Sequence, residues 1–161
     1  NLSVWLHALA GVTWVGLLYY FNFVQVPAMA DALADEGGPG PAAIGKYIAP
    51  KALLWFRMSA AVTWLTGAWA LSLGYGFTNA FLLKPGAEMI GLGSWLGTIM
   101  LFNVWVLIWP NQKKILGMVE ASAEEIAKAK FTAAMASRTN VVLSVPMLLC
   151  MIGAGHGGYL F

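Results

Sequence analysis

The sequence predicts an all-α integral membrane protein: one domain over residues 1–161, built as four transmembrane helices with a short amphipathic helix before the last. Three observations carry this. Hydrophobic residues make up 60 % of the 161-residue chain and charged residues 10 %, against roughly 25 % charged in soluble domains. Residues 2–26, 53–73, 92–109 and 141–161 each approach the ~20 mostly apolar residues that a helix needs to cross a bilayer. No stretch shows the alternation of a barrel strand.

Residues 2–26 lack a basic start and an Ala-x-Ala cleavage site, and the run is too long for a signal-peptide core, so they are expected to remain as the first span. The run Asp35-Glu36-Gly37-Gly38-Pro39-Gly40-Pro41 cannot continue a helix and reads as a surface loop. The span over residues 53–73 follows. The third span is the shortest, must run nearly along the bilayer normal, and is expected to stop at Trp109-Pro110. Ser122 followed by Glu125 is a capping-box pattern, and Glu124 and Lys128 can pair one turn apart. Residues 123–137 therefore read as an amphipathic helix at the cytoplasmic surface, either a docking surface or a solvated face with ordinary charge pairs.

Of the nine Lys and Arg residues, Lys46, Lys51, Arg57, Lys113, Lys114, Lys128, Lys130 and Arg138 belong to the first and third connections. Only Lys84 belongs to the second. The positive-inside rule then places the first and third connections in the cytoplasm and both termini outside, periplasmic if the membrane is a bacterial inner membrane. The single cysteine, Cys150, forms no disulfide within the chain, and no Cys-x-x-Cys-His motif exists for covalent haem. A net charge of +2, scattered along the chain, gives no reason to expect nucleic acid as a partner. Membrane lipids are the expected surroundings.

Two ionisable side chains interrupt the apolar runs, and an ionisable group within a span is a functional-site hypothesis. His7 lies about six residues into the first span and His156 about five from the end of the fourth. At 1.5 Å per residue both fall roughly 8–9 Å below the outer surface. Gly11 and Trp14 follow His7 on one helix face, and Gly153, Gly155 and Gly157 surround His156. Glycine beside histidine leaves room for a flat macrocycle, and imidazole is a usual axial ligand of haem iron. The plainer alternatives are a histidine bonded to a carbonyl or interfacial water, with glycines that allow close packing.

A second polar set, Asn22, Arg57, Asn103, Asn111, Gln112, Arg138 and Asn140, gathers toward the cytoplasmic end. Amides can bond across helices, and Arg57 and Arg138 suit haem propionates, lipid phosphate or an anionic substrate. The alternative is helix-end capping and headgroup contact. This set lies far from the outer histidines, so the two are expected to serve different ligands. Trp5, Trp55, Trp95 and Trp109 sit where interfacial anchors do. Trp14, Trp64, Trp69 and Trp105 lie deeper, where they pack in the core or flank a porphyrin.

The run from Trp5 to Gly16 (WLHALAGVTWVG) resembles the first helix of the bacterial membrane-bound urate oxidases that carry a cytochrome c domain. Trp55-Phe56-Arg57, Asn103-Val104-Trp105, Trp109-Pro110-Asn111-Gln112-Lys113-Lys114, Ser137-Arg138-Thr139-Asn140 and Leu143-Ser144-Val145-Pro146 resemble the same group. The first-helix pattern is also similar to four-helix haem proteins of the protoporphyrinogen oxidase and copper-resistance membrane types. In those relatives a first-helix histidine binds haem, which would make His7 a ligand here. The urate oxidases continue into a periplasmic c-type domain, whereas this sequence ends at Phe161, so a separate cytochrome is the implied electron partner.

The expected function is a haem-b-binding membrane protein with a redox role, His7 and His156 holding the iron and Gly11 and Trp14 shaping the site. Arg57, Asn103, Arg138 and Asn140 would serve lipid or partner contacts. The rival is a non-enzymatic accessory subunit of a larger respiratory or photosynthetic complex, packed against other membrane subunits. A third possibility is an enzyme for urate or another small anion that uses Arg57 and Arg138.

Overall fold

A computed structural model describes residues 2–157, and among them the chain is helical with no strand. Helix α1 spans Leu2–Ala34, α2 Ala49–Leu73, α3 the short Phe77–Phe81, α4 Glu88–Ile115 and α5 Ala123–Gly155. Neighbouring long helices run antiparallel. His7 meets Thr63, Trp64 meets Thr98, Asn103 meets Asn140 and Tyr19 meets Ser144. The four long helices thus form a ring in which α1 packs closely along α2, and α4 along α5. Three of them, α1, α4 and α5, are long and apolar enough to cross a membrane. Helix α2 has the length, at 25 residues, but Arg57 and a row of Ser and Thr dilute its apolar character.

Several helices run past the ends that the sequence predicts, and the reason is the same each time. The first does not stop near Val26, nor the third at Pro110. Pro27, Pro50 and Pro110 each stand two residues beyond a widened turn: Phe21–Gln25, Ile44–Ile48 and Asn103–Ile108. A proline in a regular helix clashes with the carbonyl four residues back. Here that carbonyl belongs to the widened turn, where the bond spans five residues, as from Val26 N–H to Phe21 O and from Trp109 N–H to Val104 O. Such π turns insert into α-helices as single bulges, and they let the chain carry proline without breaking.

The amphipathic segment before the last span is the first half of one continuous helix. At 1.5 Å per residue, the 33 residues of α5 reach about 50 Å, beyond the ~30 Å of a hydrocarbon core. Ala129, Ala133, Ala136, Asn140, Ser144, Met147, Cys150 and Ala154 are buried at spacings of three or four. The alanines let the inner end of α4 approach closely. Ser122 caps the helix: its hydroxyl accepts from Glu125 N–H, and the Glu125 carboxylate accepts from Ser122 N–H.

The core holds Trp14, Leu18, Phe21, Phe56, Met100, Val104 and Met147 at the centre of the ring. Its small polar residues bond backward along their own helices, as Ser59 does to Phe56 O, Thr63 to Ser59 O and Ser94 to Ile90 O. This satisfies hydroxyls without crossing to another helix. At the end of the bundle that holds His7, α3 lies so close to α4 that a side chain on Gly91 would strike the Ala80 carbonyl.

Candidate functional site

His7 lies on the inward face of α1, with Ser3, Gly11, Trp14 and Leu18 at successive turns. Its Nδ1 is 2.8 Å from the Thr63 carbonyl of α2. A carbonyl can only accept, so Nδ1–H donates and, in the neutral ring, Nε2 keeps its lone pair. A Cβ at Gly67 would sit 2.9 Å from the ring. Gly67 is therefore the seat of the imidazole. One turn along, Gly11 faces the Thr63 methyl, with a would-be Cβ at 3.7 Å. The two small residues bring the backbones together so that a side chain on α1 reaches a carbonyl on α2.

His156 caps the C-terminal end of α5 and is exposed. Its Nδ1 donates to Ile152 O at 2.9 Å, again leaving Nε2 as the basic nitrogen. The Tyr19–Ser144 bond, 2.8 Å long, measures the depth of the pair. Each histidine stands twelve residues from it along its own helix, about 18 Å at the α-helical rise. The two are level, but no contact between them is formed among the described residues. Gly157 closes the described chain beside His156 with a positive φ of 88°.

Trp14 is 2 % exposed, and its indole N–H has no hydrogen-bond partner. Buried polar groups are normally paired, so this N–H is an orphan on the His7 face of α1 among the described residues. Gln25, 7 % exposed, leaves its Oε1 unpaired in the same way near the inner end.

Four members of the second polar set, Arg57, Asn103, Arg138 and Asn140, divide into three arrangements. Asn103 Nδ2 donates to Asn140 Oδ1 at 2.8 Å, and Asn140 Nδ2 donates to Met100 O at 3.0 Å. With Asn140 fully buried, this is an amide clasp that joins α4 to α5. Arg57 lies instead over the Trp109 ring, its Cζ 3.7 Å from the centroid. Arg138 is exposed on α5, away from both. The four residues thus share a level of the bundle without forming one site.

Sequence reasoning missed the Thr63 and Gly67 seat, the Arg57–Trp109 stack and the unpaired indole of Trp14. One signal was present: Thr63 and Gly67 repeat on α2 the four-residue spacing of His7 and Gly11 on α1. Small residues at that spacing mark a close helix pair.

No match is found among curated proteins or among solved structures. The sequence profile of the urate oxidase N-terminal family matches residues 73–161. That range takes in the Asn103–Asn140 clasp, the widened turn before Pro110, Trp109, Arg138 and His156, while His7 and Arg57 lie ahead of it. The match covers more than half of the sequence, and the chain belongs to the urate oxidase N-terminal family.

Proposed function

We propose that this urate-oxidase-related protein is a four-span membrane protein that binds haem b and serves in redox chemistry. The carrying observation is the hydrogen bond from His7 Nδ1 to the Thr63 carbonyl. Metal-ligating histidines characteristically donate the other ring N–H to a carbonyl or carboxylate, which sets the tautomer and orients the ring. His7 has that partner within the helix pair, and Gly67 supplies the space. His156 has the same tautomer through Ile152 O and stands level with His7, which supports it as the second ligand. The buried, unpaired Trp14 N–H is a donor available to a polar edge of a bound group. These features fit haem b, which when bound supplies one-electron chemistry at its iron.

In this reading the chain's own residues perform three tasks. His7 and His156 hold the group through Nε2. Thr63 O keeps the His7 ring turned and raises its basicity as a ligand. The apolar core excludes water from the site and so influences its potential. The basic connections face the cytoplasm of a bacterial inner membrane, α2 is the fourth span, and a separate cytochrome takes the electrons. The family match supports a urate-related role.

The test is the reduced-minus-oxidised spectrum of the chain purified in detergent, with haem content per protein. The wild type should carry haem, His7→Ala should lose most of it, and His156→Ala should change the spin state. A haem-free wild type, or an unchanged spectrum for His7→Ala, would favour the accessory-subunit reading.

A further inference from the structure

Arg57 and Lys113 both lie over one indole. The Arg57 Cζ is 3.7 Å and the Lys113 Nζ 5.7 Å from the Trp109 ring centroid. Neither cation makes an ion pair among the described residues. A cation over an aromatic face is worth about 0.5–1 kcal/mol when exposed, which does not replace an anionic partner. Two like charges drawn to one ring leave a positive centre with no counter-charge.

This centre lies on the same two helices as an apolar groove. Between α2 and α4 runs an open cleft of about 310 Å³ lined by Trp64, Leu101, Phe102 and Trp105 with Thr98. The Trp64 indole N–H donates to Thr98 Oγ1 at 3.0 Å, so the polar edge of the ring is spent and its face is left for apolar contact. Trp64 lies two turns from Arg57 on α2, and Trp105 one turn from Trp109 on α4. Groove and cations therefore follow one seam. His7 meets α2 through Thr63 and Gly67, a separate contact from this seam.

We infer that the α2–α4 seam is a binding site for one anionic phospholipid, its phosphate held by Arg57 and Lys113 and an acyl chain lying between Trp64 and Trp105. Guanidinium matches phosphate geometry with paired donors, and its stack on Trp109 orients that fork in advance. Lysine adds a point charge. Trp109 is an aromatic of the kind found at headgroup level, which puts the phosphate at the interface and the groove in the hydrocarbon. The site rests on the four-span reading and is independent of haem.

The experiment is native mass spectrometry of the detergent-purified chain titrated with phosphatidylglycerol or phosphatidylcholine of the same acyl chains. One phosphatidylglycerol should be retained with about tenfold preference, which is about 1.4 kcal/mol. Arg57→Gln should abolish the preference, and Arg57→Lys should keep part of it. Lys84→Gln, which removes a charge at the opposite end of the bundle, should leave it intact. Trp105→Ala should lower retention of both lipids. Glycerol 3-phosphate, which has the phosphate and no chain, should not compete at lipid-equivalent concentrations. Equal retention of the two lipids by the wild type, an undiminished preference in Arg57→Gln, or competition by glycerol 3-phosphate would each overturn the site. A chain that holds haem through His7 but shows no lipid preference would overturn this inference alone.

Discussion

Gly67 has no side chain because the imidazole of His7 occupies that space. Gly67→Ala improves intrinsic helix propensity by about 1 kcal/mol, yet its methyl would sit 2.9 Å from the ring. The expected outcome is a displaced His7 and a lost bond to Thr63 O with the helix content unchanged, and, under the proposed haem-binding function, a haem content well below wild type. Circular dichroism and haem content on one preparation check both halves. Asn140 makes the opposite case, a polar residue whose partners are all present. Asn140→Leu removes two interhelical bonds and strands the Asn103 amide, for an expected loss of about 1–2 kcal/mol. A double-mutant cycle with Asn103→Leu, read by unfolding in mixed micelles, should show coupling between the two positions. Additive losses would mean that the clasp contributes nothing as a pair.

Among the elements, α5 has its start written in Ser122 and Glu125. The hydrogen bond from the Ser122 backbone N–H holds the Glu125 carboxyl below its ordinary value of 4.5, and the nearby Ser122 hydroxyl and Lys114 add to this. A depressed folded value means that the cap's ionic contribution is full above the unfolded pKa and is lost as pH falls through the folded one. Amide exchange in the first turns of α5 should therefore accelerate only below about pH 4.5, relative to the intrinsic rate. Glu125→Gln should remove that pH dependence. Ser122→Ala should loosen the same turns at neutral pH by about 1 kcal/mol. The three widened turns are the complementary device: they let α1, α4 and the start of α2 carry proline where a regular helix would end.

Over the whole molecule, the asymmetry of charge predicts sidedness. Ala121 lies in the connection between α4 and α5, beside Lys113 and Lys114, whereas Asn79 lies in α3 of the connection that holds only Lys84. Cysteines placed at these two positions should react from opposite sides of intact cells, Asn79 from outside. Labelling of Ala121 from outside would reverse the orientation, and labelling of both from one side would remove α4 as a span. In the ring, α2, diluted by Arg57, Ser59 and Thr63, pairs antiparallel with α1 and with α4. Ser59 and Thr63 are buried against the neighbouring helices, whereas Arg57 is half-buried over the Trp109 ring.

The sequence by itself determined the helical class, the approximate positions of the long helices, the capping of α5 and the residues that merit chemical attention, because apolar run length, turn residues and ionisable groups within such runs act locally. It also carried the family through elements such as Trp109-Pro110-Asn111 and Arg138-Thr139-Asn140. The helix ends and the partners were decided only by the tertiary structure. Whether Pro110 ends a helix depends on a widened turn that neighbours stabilise, and periodicity does not announce it. Asn103, Arg57 and Arg138 look alike as polar residues near one end, yet the fold pairs the first with Asn140, stacks the second on Trp109 and leaves the third exposed. Position along the chain sets the depth of a side chain, while the rotation of each helix against its neighbours sets what that side chain meets.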